Sequence, residues 1–284
     1  QAFKNGFLTL DTSYTEGHKN ISSTKTAGSR NHIFAELDLN FSENKSYDSD
    51  LFFKIQKVSN DKYFKTHNIN TALVDSENTD LKNEISYKFA KDETYFSISS
   101  NMYENLSEKT NSKYEYILPN ILIGKTIFND KFGSIELKSN SLYKNFDTNK
   151  HLTSVNNDFI WNSPSHITKK GFVNTFEGIV NNFNYEAKNT GDYKTEGTVN
   201  EVSSVLKYKS SLPLKKEEAF FSKIFSPTFM VRYAPGHMKN IKNESSGLKY
   251  ANLYSINKTS VIEDGLSAII GFDYKLNEKN EDGS

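Results

Sequence analysis

Apolar and polar residues alternate singly along several stretches of this sequence, and this alternation limits the possible folds more than any other feature. Successive side chains of a β-strand point to opposite faces, so a period of two predicts strands with one apolar face. The clearest stretches are Ile33, Ala35, Leu37, Leu39 and Phe41 alternating with Glu36, Asp38 and Asn40, and Leu266, Ala268, Ile270, Phe272 and Tyr274 alternating with Ser267, Gly271, Asp273 and Lys275. The chain is therefore predicted to be all-β, an antiparallel meander of long amphipathic strands.

The charged residues of the alternating stretches fall on the polar side of the pattern. Further alternating stretches lie at 81–89, 96–102, 135–138 and 229–233, the last with Met230 and Arg232 between aromatic and apolar residues. If the strands form a membrane barrel, the polar side lines a water-filled interior. The side chains predicted to line it are Glu36, Asp38, Lys82, Glu84, Lys88, Glu136 and Lys138. Hydration explains them without catalysis, and their mixed charge is compatible with the passage of an anionic head group.

Turn lengths favour a membrane barrel over a soluble β-sandwich, although a sandwich also segregates its faces. The breaks at 90–93 and 129–132 are short, whereas those at 104–113 and 144–150 are longer. Outer-membrane barrels alternate short periplasmic turns with longer outer loops. A polar interior also reconciles the low mean hydropathy of -0.66 with an aromatic content of 13%, which is too high for a disordered chain.

Two segments depart from the alternation. Residues 212–225 are bracketed by Pro213 and Pro227, which predicts a strand end running into a loop, while the spacing of the apolar residues leaves a short helix as an alternative. In residues 156–171, Trp161 either anchors the chain at a bilayer interface or packs locally.

Composition and spacing argue against binding of nucleic acid, metal or cofactor, and against catalysis. The 35 basic residues are balanced by 35 acidic ones, so no basic surface for nucleic acid is expected. There is no cysteine, which excludes a thiolate metal site and a cysteine nucleophile. Metal sites usually need two ligands close in sequence, so the scattered histidines are expected to be isolated surface or loop residues. These are His18, His32, His67, His151, His166 and His237.

Several motifs follow one another in the second half of the chain. They are Tyr116-Ile117-Leu118-Pro119, Tyr233-Ala234-Pro235-Gly236, Asn252-Leu253-Tyr254-Ser255, and Ile262-Glu263-Asp264-Gly265 leading to Gly271-Phe272-Asp273-Tyr274. Proline lacks the N–H group that a strand ladder needs, so Pro119 and Pro235 are expected where strands begin or end. The pair Pro235-Gly236 is expected in a turn.

By their order and spacing, these motifs resemble the barrel domain of the lipopolysaccharide-assembly family LptD, also called organic-solvent-tolerance protein, over residues 114–275. The positions that carry the resemblance are Tyr116, Leu118, Pro119, Tyr233, Pro235, Gly236, Asn252, Ser255, Gly265 and Gly271. They are interpreted as structural positions of the barrel and not as ligand contacts.

The resemblance implies an outer-membrane barrel of a Gram-negative bacterium that assembles lipopolysaccharide (LPS) into the outer leaflet without catalysis. The implied partners are LPS, outer-membrane lipids, an LptE-like lipoprotein plug and an LptA-like periplasmic bridge protein. It also implies that residues 1–284 are part of one barrel domain whose gate-forming strands lie outside this segment. Because unpaired strand edges are not tolerated in hydrocarbon, the isolated segment is expected to be unstable as a barrel.

Two other classes also fit the alternation. A porin-like or receptor barrel for passive transport would share the strand pattern and would carry a constricting loop or plug. A secreted β-sandwich or adhesin would share the segregated faces and would not partition into detergent.

Overall fold

The computed structural model describes residues 2–16, 30–42, 46–67, 69, 71–75, 77, 79–108, 112–147, 150–190, 197–218, 220–235 and 264–278. The strands are β1 (Ala2–Phe3), β2 (Gly6–Thr15), β3 (Arg30–Asn40), β4 (Asp48–Val58), β5 (Asp80–Lys91), β6 (Thr94–Asn105), β7 (Tyr114–Asp130), β8 (Gly133–Asp147), β9 (Lys150–Asn162), β10 (His166–Ile167), β11 (Val173–Lys188), β12 (Gly197–Ser211), β13 (Leu214–Glu217), β14 (Phe221–Ala234) and β15 (Gly265–Glu278). A one-turn helix, α1 (Tyr63–Thr66), lies between β4 and β5. The prediction of an all-β fold is confirmed.

The strands form one antiparallel sheet in which most strands pair with their neighbour in the chain. The order runs β1 to β9 and then β11, β12, β14 and β13, with β10 beside β11 and β15 beside β14. The departures from a strict meander are β10 and β13, which are only 2 and 4 residues long. The predicted meander is therefore confirmed, and within the described residues the sheet does not close on itself.

The register keeps each side of the predicted alternation on one face of the sheet. Glu36 of β3 lies opposite Lys54 of β4, and Lys54 lies opposite Glu84 of β5. Glu84 in turn lies opposite Asn101 of β6. Directly opposed residues of neighbouring strands share a face. We call the face that carries Glu36 the inner face and the opposite one, which carries Ile33, the outer face.

The turns agree with the predicted lengths at three of the four positions. The β5–β6 and β7–β8 turns are short, and Gly133 ends the second with a φ of 115°. The β6–β7 connection, residues 106–113, is longer. The longer turn predicted at 144–150 is wrong, because β8 and β9 stay paired as far as Asp147 and Lys150.

Pro119 lies inside β7, so the prediction that it marks where a strand begins or ends is wrong. The partners of Ile117 and Asn120 on both neighbouring strands show a shift in register between these two residues. This bulge takes Leu118 and Pro119 out of the ladder, and the missing N–H of Pro119 therefore breaks no ladder bond. Pro235 directly follows β14, as predicted.

Most of the described residues in 212–225 belong to β13 or to the start of β14, so neither the predicted loop nor the alternative helix is found among them. Pro227 lies inside β14, opposite Phe272 of β15. Its carbonyl oxygen accepts a hydrogen bond from the N–H of Leu212 at 3.0 Å. In an antiparallel sheet, the N–H and C=O groups of one residue point towards the same neighbouring strand. The missing N–H of Pro227 therefore faces the gap between the β12 and β13 ladders.

Residues 59–79 connect β4 to β5, and we call the described residues among them the strap. The strap packs on the inner face. Phe34 of β3 is completely buried, and the buried residues Tyr63 and Leu73 of the strap belong to the same apolar cluster. The side chain of Gln56 fixes the strap, since its Nε2 donates to the carbonyl oxygen of Leu73 at 2.7 Å.

The strap also explains one departure from the predicted alternation. Leu81 shares its side of the pattern with Ile85, which is 50% exposed, yet Leu81 is completely buried. It belongs to the same apolar cluster as Leu73 of the strap. The alternation fixes which side chains share a face but not what packs over the end of a strand.

Candidate functional site, a wall with two faces

The alternation along β14 shows how the two faces differ. Met230 and Arg232 lie on the inner face and are buried, with exposures of 0% and 2%. Phe229 and Tyr233 lie on the outer face and are 39% and 51% exposed. The alternation predicted for 229–233 is confirmed, with the charged residue turned inward and the aromatic residues turned outward.

Large apolar side chains are exposed on the outer face across the sheet. They include Leu10, Ile33, Ile85, Ile123, Phe159, Val180, Val202, Leu206, Phe229, Ile270 and Phe272. Ile270 of β15 is 83% exposed. Soluble monomers rarely expose apolar patches larger than a few hundred Å². This face is therefore suited to contact with hydrocarbon.

The predicted charges of β3 and β5 lie together on the inner face. They are Glu36, Asp38, Lys82, Glu84 and Lys88. Asp38, Glu84 and Lys88 line a cavity of about 470 Å³. The Nζ atom of Lys82 lies 2.5 Å from Oε2 of Glu84, and that of Lys54 lies 3.8 Å from Oε2 of Glu36. Charges of both signs thus neutralise each other across this part of the inner face.

The remaining two predicted charges, Glu136 and Lys138, form a second group on β8. The Nζ atom of Lys138 lies 3.2 Å from Oε2 of Glu136, and the Lys138 side chain is 60% exposed. Lys138 lies opposite Asp158 of β9. Since β6 and β7 separate β8 from β5, the seven predicted residues share one face but do not form one cluster.

A polar network centred on the buried Asn181 covers part of the inner face between β9 and β12. The Nδ2 atom of Asn181 donates to Oδ1 of Asn156 at 2.6 Å and to Oδ1 of Asp158 at 2.5 Å. The hydroxyl of Ser203 donates to Oδ1 of Asn181 at 3.4 Å. Asn181 is only 3% exposed, so its hydrogen bonds offset the cost of removing the amide from water.

Two buried cations on this face were not predicted as site residues. The Nζ atom of Lys207 lies 2.6 Å from Oε2 of Glu177. Lys207 also lies opposite Arg232 of β14. The alternation around Arg232 could have assigned it to the inner face. Its burial depends on the neighbouring strands and could not be inferred from the pattern.

Lys113, just before β7, ties the strap to the strand ends. Its Nζ atom lies 2.6 Å from Oδ1 of Asp61 in the strap and 3.2 Å from Oε1 of Glu104. The hydrogen bond with Asp61, aided by the one with Glu104, raises the pKa of Lys113 above its usual value of 10.5.

The motif residues of β7 lie in its bulge or just before it. Tyr116 stacks on Tyr114 with ring centroids 6.3 Å apart. Leu118, which is 46% exposed, and Pro119 form the bulge itself. The structure thus assigns these motif residues to a local change of register within one long strand.

The motif residues around β14 and β15 frame the start of the β14–β15 pairing. Tyr233 is on the outer face, and Gly265, with a φ of 95°, begins β15 opposite Ala234. Gly271 lies opposite Thr228, which is buried on the inner face. Gly236, Asn252 and Ser255 lie outside the described residues.

His32 does not fit the prediction that the histidines are isolated surface or loop residues. Its side chain is 7% exposed and stacks on Phe34 with ring centroids 4.5 Å apart. Both ring nitrogens lie within hydrogen-bond distance of side chains from β2. The sequence gives no sign of this, because the contacts depend on the pairing of β2 with β3.

No group of three or more His, Asp or Glu side chains within the described ranges is placed to hold a metal ion. No helix in those ranges is long and apolar enough to cross a membrane.

Comparison with known families extends the resemblance beyond the motifs. The family described as "LptD: LPS transport system D" matches residues 30–282, so β3 to β6 also belong to the matched segment. Comparison with curated proteins gives no match. The family transports and assembles LPS at the outer membrane of Gram-negative bacteria. Since the matched segment covers far more than half of the 284 residues, the chain belongs to the LptD family.

Proposed function

We propose that this chain forms part of the wall of an outer-membrane translocon that inserts LPS into the outer leaflet. Residues 1–284 would be part of one barrel domain. The observation that carries the proposal is the two-faced sheet, which exposes apolar side chains such as Ile270 on its outer face and pairs charges such as Glu36 and Lys54 on its inner face. The family match over residues 30–282 supplies the substrate class.

The inner-face charges would guide the anionic head group of LPS without holding it tightly. Lys88 lines the β3–β5 cavity, and Lys138 is largely exposed on β8. Each lies near carboxylates, which keeps the local positive charge low. A weakly charged, hydrated surface allows an amphiphile to enter and to leave, and such passage requires no covalent step.

The proposed translocon has two protein partners, by analogy with its family. An LptE-like lipoprotein would sit in the lumen against the inner face, and an LptA-like bridge protein would deliver LPS from the periplasm. The motif positions around the bulge of β7 and the start of β15 would shape the wall and would not contact LPS.

Depletion of the protein in its host tests the proposal most directly. Surface LPS is expected to fall, with LPS accumulating behind the outer membrane, as measured by surface labelling and membrane fractionation. Unchanged surface LPS would contradict the translocon and would favour a porin-like barrel, in which case uptake of small solutes would change instead.

A charge reversal tests the role of the inner face. The double variant Lys88→Glu and Lys138→Glu is expected to slow delivery of LPS, since it adds negative charge along the path of an anionic head group. The matched control is Lys216→Glu, because Lys216 is 75% exposed on the short strand β13. Equal LPS delivery in both variants, at equal barrel levels, would remove Lys88 and Lys138 from the proposed path.

A further inference from the structure

A serine, a histidine and an aspartate lie within hydrogen-bond distance of one another where β2 meets β3. Asp11 and Ser13 are two residues apart on β2 and so share a face, and Ser13 lies opposite His32 of β3. The Nδ1 atom of His32 is 2.9 Å from Oγ of Ser13, and its Nε2 atom is 3.1 Å from Oδ1 of Asp11. All three side chains are on the inner face.

The partners of His32 determine which ring nitrogen carries the proton. An ionised carboxylate only accepts hydrogen bonds, so the contact with Asp11 requires a proton on Nε2. Nδ1 is then the unprotonated nitrogen, and it faces the hydroxyl of Ser13. A serine hydroxyl that donates to a histidine oriented by a carboxylate is the arrangement that activates serine nucleophiles.

The exposure of the three side chains suits this chemistry. His32 is 7% exposed and is held in place by stacking on Phe34. The Asp11 side chain is 39% exposed, and Ser13 is exposed. A fixed, buried base next to an accessible hydroxyl lets a substrate reach Ser13 while His32 keeps its orientation.

Tyr63 of the strap adds a fourth polar group. Its hydroxyl lies 3.0 Å from Oγ of Ser13 and 2.9 Å from Nδ1 of His32. With Ser13 donating to Nδ1, the Tyr63 hydroxyl is free to donate to Oγ of Ser13. An oxyanion that forms beside Ser13 would therefore have the Tyr63 O–H as a neighbouring donor.

We propose that Ser13, His32 and Asp11 form a catalytic site that hydrolyses carboxylic esters that reach the inner face. This activity goes beyond the transport of LPS. The Oγ atom of Ser13 attacks the ester carbonyl, and its proton passes to Nδ1 of His32. Asp11 accepts the hydrogen bond of the Nε2–H and stabilises the charged ring.

The tetrahedral adduct then collapses to an acyl-serine. The ester C–O bond breaks, and the proton on Nδ1 of His32 passes to the departing alkoxide, which leaves as an alcohol. A water molecule gives a proton to Nδ1 and attacks the acyl-serine. Ser13 recovers its proton, and a carboxylic acid is released.

The full-length protein reconstituted in phospholipid vesicles allows a direct test with two probes. A fluorophosphonate is expected to label Ser13, and p-nitrophenyl butyrate is expected to be hydrolysed. Ser13→Ala should abolish labelling, and His32→Gln should reduce ester hydrolysis by roughly 100-fold or more. Thr9→Ala is the matched control on the same strand and face and should leave both signals unchanged, since Thr9 lies opposite Glu36 and not opposite His32.

Tyr63→Phe separates catalysis from a structural role. A fall in kcat of roughly 100-fold with little change in KM is expected if the hydroxyl stabilises the oxyanion. Heat-dependent electrophoretic mobility reports whether each variant still folds as a barrel. A folded wild-type protein that neither takes up the fluorophosphonate nor cleaves the ester would overturn the proposal and would show that the cluster only clamps the strap.

Discussion

The inner face is built differently at β3–β5 and at β9–β12. At β3–β5 the strap packs on the sheet, and Phe34, Tyr63 and Leu73 form an apolar cluster. At β9–β12 the buried side chains of Asn181 and Ser203 are joined by a hydrogen bond, and the same strands also carry a three-residue apolar cluster, Leu152, Tyr185 and Ala187.

The comparison shows that the inner face of one sheet can be stabilised in two ways. An apolar cluster derives its stability from area removed from water. A polar network derives its stability from complete hydrogen bonding, and a buried polar group that loses its partner destabilises the fold. Residues at the strap should therefore be sensitive to changes in volume, and residues of the β9–β12 network to the loss of a hydrogen-bonding group.

Phe34→Ala is expected to have the largest effect on stability. Phe34 is completely buried beneath the strap, and removal of a buried Phe side chain costs about 3–5 kcal/mol of unfolding free energy. The measurement is urea unfolding of the reconstituted protein. Ile33→Ala is the matched control on the outer face, and an equal loss in both variants would contradict a core at the strap.

Asn181→Ala is expected to cost about 1–3 kcal/mol, because it removes a buried amide and leaves half-buried polar groups of Asn156 and Asp158 without this partner. The same urea unfolding measures it. Asn200→Ala, at an exposed position of β12, should change stability little. A smaller effect at Asn181 than at Asn200 would show that the network does not stabilise the sheet.

Lys113→Met is expected to cost at most about 1 kcal/mol, since Asp61 is 48% exposed. The contacts raise the pKa of Lys113, so its contribution is fully present below the usual value of 10.5 and is lost as the pH rises through the raised pKa. The unfolding free energy of the wild-type protein, measured from neutral to strongly alkaline pH, should fall at the alkaline end. The Lys113→Met variant should lack this fall. The control is Lys169→Met, in an exposed turn, which should retain the alkaline fall in unfolding free energy.

Glu218, between β13 and β14, should give the smallest effect. Lys223 and then Lys216 lower its pKa from the usual value of 4.5. Its contribution is therefore present above 4.5 and is lost as the pH falls through the lowered pKa. Glu218→Gln should flatten the pH dependence of unfolding in this acidic range. An unchanged pH dependence would mean that the contacts of Glu218 with Lys223 and Lys216 add nothing measurable to stability.

The alternation allowed the faces to be predicted correctly wherever strands run without interruption. Ile33 and Glu36, or Phe229 and Arg232, lie on the faces that their positions indicated. Prediction failed at Pro119 and Pro227, because a bulge or a gap between ladders accommodates a proline inside a strand. Whether a ladder bond would be lost at a proline depends on the neighbouring strands, which the local sequence does not reveal.

The sequence by itself determined the strands, their two-faced character and membership of the LptD family. Local periodicity is sufficient for this, because the side chains of a strand must alternate. Only the tertiary structure decided that the strap packs on the inner face, that Lys207 and Arg232 lie side by side, and that Ser13, His32 and Asp11 meet. These contacts join residues that are distant in the chain, and their distances follow from the pairing register and the packing of neighbouring strands.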